Sequence, residues 1–364
     1  MDPSIQKLKV LPTQLISIEK GVLIKRGCTV LKIQGEGADW AVQTVFSALI
    51  KKPSTYDEIS QVFPSHDQEA VTHFLDMLIA KRFVVYDSEN PTQDSPTNAE
   101  SPLDIFYWNF GLTNRDVSEK LNSSPITILG VNFVSLRLFT SLAHSGMRNI
   151  ELVDHPAFRN LRLFDQRENL LPDNLPNPIN CTPRNYKDWI DGTDPESIGC
   201  LVATSDFGGH SSILEWNRYC LDHHLHFFSV TLRDEIGFVG PLVIPGETAC
   251  FQCFITREQS QSSNRLHSQT LDEQAFSGQG IVGYHPSMAS VLGDIAAIEL
   301  HKFFGGRLPG WKAGTVIEVN LLTSQMIPRK VLKVPRCPVC SPLTSQSSMS
   351  IHKDHFNSAG RKKS

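Results

Sequence analysis

The sequence predicts an α/β protein, a mainly parallel, doubly wound sheet preceded by an N-terminal winged-helix-like (α+β) module. Three observations carry this prediction. Apolar strand runs alternate with helical patterns between residues 104 and 342. Short strands, three helical patterns and a closing strand fill residues 1–87. Between them, "SENPTQDSPTNAESPL" at 88–103 is polar and rich in Pro, Ser and Asn, too poor in apolar side chains to build a core, and reads as a linker.

In the module, residues 9–33 alternate apolar and polar, with turns expected at Lys20-Gly21 and Arg26-Gly27. "ADWAVQTVFSALIKK" follows with Trp40, Val42, Val45, Phe46 and Leu49 set for one helical face. "STYDEISQVF" offers Ser54 or Thr55 as a cap, and the third helix is capped by Ser65 or Asp67 before the strand "RFVVYD". In the larger unit, "PITILG", "NIELVD", "GCLVATSD" and "LHFFSVTL" are strands, and "GFVGPLVIPGE" reads as a hairpin. "SLRLFTSLAHSG", "SSILEWNRYCLDHH" and "SMASVLGDIAAIELHKFFGG" are helices. The polar end at 343–364 reads as a flexible tail. The polar stretch at 256–280 reads either as a crossover loop or as a contact surface.

Composition excludes some classes. The net charge is -4 and the pI about 6.3, against general phosphate-backbone binding. A DNA-reading winged helix is further disfavoured by His66, Asp67, Glu69 and Asp76 on or beside its third helix. No apolar run approaches the roughly 20 residues of a membrane span, and the N-terminus has no signal core. A cytoplasmic protein with neither nucleic-acid nor membrane partner is expected.

There are eight cysteines. Cys28, Cys181, Cys200 and Cys220 are scattered and read as small buried hydrophobes. Cys250 and Cys253 form "CFQC"; Cys337 and Cys340 form "CPVC". Two Cys-x-x-Cys pairs complete a tetrahedral S4 zinc site with no open position, so the zinc would be structural. The competing readings are two unrelated pairs or one redox pair.

The strand "ITIL", Gly130, a helix and a second strand ending at Asp154 form a Rossmann-type opening, with Asp154 where an acid holds a ribose. Further glycines are missing; Asn132, Phe133 and Ser135 stand in their place. His223, His224 and His226 cluster in sequence and read as cap or surface groups.

Together, "ILGVNFVSLRLFTSLAHSGMRNIELVDH", "LVATSD", "GFVGPLVIPGETACFQCF" and "RCPVCS" resemble the ThiF-like, ubiquitin-activating-enzyme-like adenylation fold. The N-terminal module resembles the precursor-peptide recognition element of ribosomal peptide natural-product clusters. Two groups share this pairing: peptide-adenylating enzymes of microcin C type, and ThiF-like leader-binding partners of YcaO cyclodehydratases. The ending "VLKVPRCPVCSP" is most similar to the second group.

The resemblance implies where function sits. Active members carry a glycine-rich phosphate loop, an Asn-x-x-Arg-Gln element and a downstream lysine. Here Phe133 and Val134 take the loop's ground, Asn160 is followed by Arg162 one position early and Arg167 late, and the following "ENLLPDNLPNPIN" offers no lysine. Gly130, Asp154, Asn160, Arg162 and Asp206 thus read as the remnant of a nucleotide site, Asp206 as a strand-end residue capping the next helix, and no ATP is expected. In the resembled recognition element the peptide lies between the third strand and third helix, which points to Cys28, Thr29, Val30, Leu31, Lys32 and Ile33 and to Val71, Phe74, Leu75 and Leu78. The expected function is a leader-binding, scaffolding subunit that presents a ribosomal precursor to a YcaO-type, ATP-dependent, azoline-forming cyclodehydratase, without catalysis of its own. The alternative is an ATP-dependent enzyme adenylating a peptide carboxylate. A homodimer is expected by analogy of fold alone.

Overall fold

A computed structural model describes residues 6–87, 101–171, 182–261, 270 and 282–341. Cys181, most of the 88–103 linker, the 343–364 tail and much of the 256–280 segment fall outside the described residues. The chain divides into two compact units, Met1–Glu119 and Lys120–Ser364.

In the first unit, β2 (Gln14–Ile18), β3 (Gly21–Arg26) and β4 (Thr29–Gln34) form an antiparallel meander in that order, and β1 (Leu8–Val10) pairs with β5 (Val84–Tyr86). Register closes Ile18 on Gly21 and Arg26 on Thr29, so the turns are Glu19-Lys20 and Gly27-Cys28, one residue from the expected positions. Gly21 is therefore inside the ladder. There a Cβ would lie 2.0 Å from the Ile33 carbonyl oxygen, so β4 can pass only a glycine.

The helices α1 (Ala38–Lys51), α2 (Tyr56–Ser60) and α3 (Gln68–Ala80) pack on these strands around one core that includes Val22, Ile24, Val45, Phe46 and Leu75. Trp40 does not join the buried stripe of α1. It precedes Val42 by two residues, about 200° round the axis, and is 55 % exposed with its ring edge-on to Phe63. Thr55 caps α2 in a reciprocal bond with Glu58. Asp67 holds the cap position of α3 without a side-chain bond. The sequence reading begins the larger unit at 104, but α4 (Pro102–Trp108) sends Trp108 into the first unit's core. Trp108 lies against Phe83, donates from Nε1 to the Arg82 carbonyl at 2.8 Å, and carries the Arg26 guanidinium 4.9 Å from its ring centre. A short helix α5 (Asn114–Asn122) follows.

The second unit is built on eight strands: β6 (Ile126–Leu129), β7 (Ile150–Asp154), β8 (Arg184–Asn185), β9 (Cys200–Ser205), β10 (His226–Arg233), β11 (Ile236–Val239), β12 (Thr315–Asn320) and β13 (Gln325–Lys330). Their spatial order is β13-β12-β11-β10-β9-β6-β7-β8. The strands from β10 to β8 run parallel, and β11, β12 and β13 extend the sheet antiparallel. The hairpin expected within "GFVGPLVIPGE" instead joins β10 to β11. Asp234 takes a positive φ in its turn, and Gly240, also at positive φ, and Pro241 end β11.

Helices cover both faces. Leu201, Ala203 and Phe227 meet Trp189 of α7 (Tyr186–Gly192), Ile213 and Trp216 of α8 (His210–Asp222) and Phe251 of α9 (Phe251–Gln261) in one core. Across the sheet, α6 (Phe133–His144) crosses α10 (Pro286–Phe304) closely, because Gly293 leaves room for the α6 backbone. A Cβ at Gly293 would stand 3.0 Å from both the Val134 oxygen and the Leu138 nitrogen. Asn132 and Ser135 cap each other reciprocally, starting α6 at Phe133, two residues before the sequence reading. No described helix is long and apolar enough to cross a membrane.

Candidate functional sites: strand ends, cysteine cluster and edge strand

Gly130, Asn132, Asp154, Asn160 and Asp206 gather at the carboxyl ends of β6, β7 and β9, the crevice where open α/β sheets place ligands. Gly130 has φ +107, and a Cβ there would lie 2.6 Å from that of Phe158. Asn132 is fully buried and donates from Nδ2 to the carbonyls of Phe158 (3.0 Å) and Thr204 (3.1 Å). The asparagine therefore ties the β6 loop to its neighbours.

Asp154 and Asp206 are both engaged by the chain itself. Arg159 donates from Nε and Nη2 to the two oxygens of Asp154, each at 2.8 Å, and from Nη1 to Glu168 at 3.0 Å. Its guanidinium also lies 4.5 Å from the centre of the Phe164 ring. Asp206 does not cap the following helix, whose cap position is Gly209. It turns to the start of α6. Its Oδ2 accepts from the Phe133 N–H (3.0 Å), Asn160 Nδ2 (2.8 Å) and the Tyr284 hydroxyl (2.6 Å). Asp206 is fully buried, and its Oδ1 has no partner among the described residues. Burial drives its pKa up, against the opposing pull of those three donors. A carboxylate thus sits on the first N–H of α6, the kind of helix terminus that receives anions. Val134 is buried inward, while half-buried Phe133 sets its ring edge-on to Tyr284. Arg162 is exposed on the short turn Leu161–Leu163.

Sequence reasoning missed Arg159, Glu168, Phe164 and Tyr284. Arg159 stands directly before Asn160, so its position beside the strand-end acid was a readable signal. Tyr284 carried none, because it comes from just before α10. The three clustered histidines form no site. His223 turns to the Tyr219 carbonyl, His226 to the Gly199 carbonyl, and His224 is exposed at a positive φ. Missed as well was His155, fully buried among Phe158, Tyr186 and Trp216, with Trp216 Nε1–H donating to its Nε2 at 3.2 Å. Burial first, and then the charge of Arg159, push its pKa from 6.5 to about 3.

The four paired cysteines come together. Their sulfurs all lie within 4.8 Å of one another, with Cys250–Cys253 at 3.8 Å, Cys250–Cys337 at 3.6 Å and Cys253–Cys340 at 3.5 Å. Tetrahedral Zn–S bonds of about 2.3 Å require sulfur separations of about 3.8 Å. The donor set therefore fits a closed S4 metal site. The Val334 N–H donates to Cys253 Sγ at 3.3 Å, a bond that favours thiolate. The cluster joins the start of α9 to the segment after β13, 87 residues on.

In the first unit, β4 pairs only with β3 among the described residues and so presents an edge. Thr29, Leu31 and Ile33 are half-buried, Val30 is 54 % exposed, and Cys28 and Lys32 are exposed. Of the α3 residues proposed from sequence, Val71, Leu75 and Leu78 are core, at 5 %, 0 % and 0 % exposure. Their spacing is that of the helix's inner face, so they offer no contact surface; Phe74 is half-buried and does.

No protein-family model and no curated protein matches the sequence. Solved structures do match. Escherichia coli MccB shares 18 % identity, with 95 % of this chain and 100 % of that chain covered, at a TM-score of 0.62. MccB solved with AMPCPP and MccA gives 18 % identity, 92 % and 99 % coverage and a TM-score of 0.63. The heterocyclase TruD gives 16 % identity and a TM-score of 0.59, with 92 % of this chain covering 43 % of that one, so the chain spans less than half of TruD. At these identities the likeness is one of fold, and it extends over both units.

Proposed function

We propose that the chain is a leader-peptide-binding subunit that presents a ribosomal precursor to a YcaO-type cyclodehydratase and does not itself adenylate. The observation that carries this reading is that the chain's own donors already hold both strand-end carboxylates, Asp154 by both oxygens and Asp206 by Oδ2. Both Asp154 oxygens are taken by Arg159, and Asp206 takes the α6 N–H that a phosphate would need. Gly130 has no glycine-rich loop behind it, and residues 161–180 hold no lysine, so the residues present do not fit ATP.

What the chain offers instead is an edge. The first unit is read as a winged-helix-like recognition module whose β4 accepts an extended leader by strand addition. Main-chain hydrogen bonds of about 1 kcal/mol net each would align the peptide, and half-buried Leu31, Ile33 and Phe74 would take its apolar side chains. The cysteine cluster would hold structural zinc, joining α9 to the segment after β13. The fold likeness to MccB solved with MccA and to TruD supports a peptide-handling role. The MccB likeness also supports the second reading, an adenylating enzyme.

The experiment is reconstitution: precursor peptide, a YcaO-type partner and ATP, with and without this chain, followed by mass spectrometry for loss of water. The reading predicts that azolines form efficiently only when the chain is present, and that the chain alone with ATP leaves the peptide unmodified. A nucleotide adduct of the peptide formed by this chain alone would establish the enzyme reading instead.

A further inference from the structure

Beneath the last turns of α10, residues of the strands β10 to β13 line a half-open cavity of about 270 Å³, away from the strand-end carboxylates. Phe228, Val239, Leu242 and Leu300 line it and are all at most 5 % exposed. Trp311 forms a wall. Its ring is pinned by Phe303, centroids 5.0 Å apart, and by the Arg307 guanidinium at 5.6 Å. The charged lining residues are Glu299, Lys302 and Lys312. Glu299 Oε1 is already bonded to Lys302 Nζ at 2.6 Å, while Lys312 is exposed. Two ammonium groups against one engaged carboxylate leave the lining with an excess positive charge.

The geometry points to a binding site for a small aromatic carboxylate, its ring between Trp311 and the apolar floor and its acid group at Lys302 and Lys312. The lining combines an apolar floor with the charged side chains of Glu299, Lys302 and Lys312, and its size falls just below the roughly 300 Å³ at which drug-sized pockets begin. A sugar or nucleotide would bury hydroxyls without partners against the Phe228 and Leu300 surface. An added polypeptide strand is disfavoured as well. The outer strand β13 carries Pro328 opposite Ile317, and a proline lacks the N–H that strand pairing draws on. The occupant inferred is therefore a free small molecule.

The test uses the full-length protein and calorimetry with 3-phenylpropionate as probe. Propionate, which lacks the ring, and 3-phenylpropanol, which lacks the charge, serve as controls. Saturable binding at one site per chain is expected, with each control weaker by about tenfold or more. Lys312→Glu, a change at an exposed position, should weaken binding by at least about tenfold, and Trp311→Ala by a similar factor. Leader binding and zinc content should not change in either variant. No saturable binding, equal binding of the alcohol, or binding that both variants retain at full strength would each overturn the assignment.

Discussion

Arg159 grips Asp154 with two parallel hydrogen bonds of 2.8 Å, the two-pronged geometry that guanidinium and carboxylate share. Both side chains are mostly buried, at 13 % and 16 % exposure, so solvent screens the pair little. Arg159→Ala would leave Asp154 charged, unpaired and poorly hydrated, and should cost about 3–5 kcal/mol of stability. Urea unfolding of the two proteins measures this; a loss below about 1 kcal/mol would mean the pair is not a structural lock.

The cysteine cluster makes a compositional prediction. Freshly purified protein should contain close to one zinc per chain by elemental analysis, and Cys250→Ser should lose the metal and destabilise the second unit. Sulfur spacings of 3.5 to 3.8 Å are what a bound tetrahedral ion requires. Metal-free protein with unchanged stability after chelation would refute the assignment.

Val30 and Leu31 allow the proposed leader edge on β4 to be tested apart from folding. Val30 is 54 % exposed, so Val30→Glu should fold normally, leave zinc untouched, and weaken a labelled leader's binding by about tenfold or more in fluorescence polarisation, because the new charge would be desolvated under the peptide. Leu31 packs against the core, and Leu31→Glu should also lower the unfolding midpoint. A folded Val30→Glu protein with wild-type affinity would remove β4 from the recognition surface.

His155 should make the second unit sensitive to acid. Its pKa is about 3 folded against 6.5 unfolded, so below pH 6.5 the unfolded chain takes up a proton that the folded chain refuses. The stabilising contribution is complete above 6.5 and falls by about 1.4 kcal/mol per unit as pH drops toward 3. Urea unfolding at pH 7, 6 and 5 should show a shallower dependence for His155→Phe than for wild type, even though that variant starts less stable. Parallel slopes would rule out His155 as the source.

Much of this was legible in the sequence. The strand–helix alternation gave the parallel part of the sheet, and cysteine spacing alone brought four sulfurs to one point, because a Cys-x-x-Cys pair fixes its own local geometry. What could not be read was set by tertiary contacts. The antiparallel β11–β13 extension depends on where Asp234 turns the chain. Val71, Leu75 and Leu78 have the same periodicity whether they face a core or a peptide. Asp206 turned from the helix that follows it to the one starting at Phe133, 73 residues earlier, and Tyr284 reached it from 78 residues later. No local pattern announces such partners.

With Asp154 and Asp206 held by the chain's own donors, the proposed leader-binding subunit should not adenylate. Peptide-dependent ATP–pyrophosphate exchange tests it most directly, run on the zinc-loaded, full-length protein with a precursor peptide shown by polarisation to bind. No exchange above the rate without protein is expected, at saturating ATP and magnesium. Exchange that rises with peptide concentration and disappears in Asp206→Asn would contradict it and make this chain an adenylating enzyme.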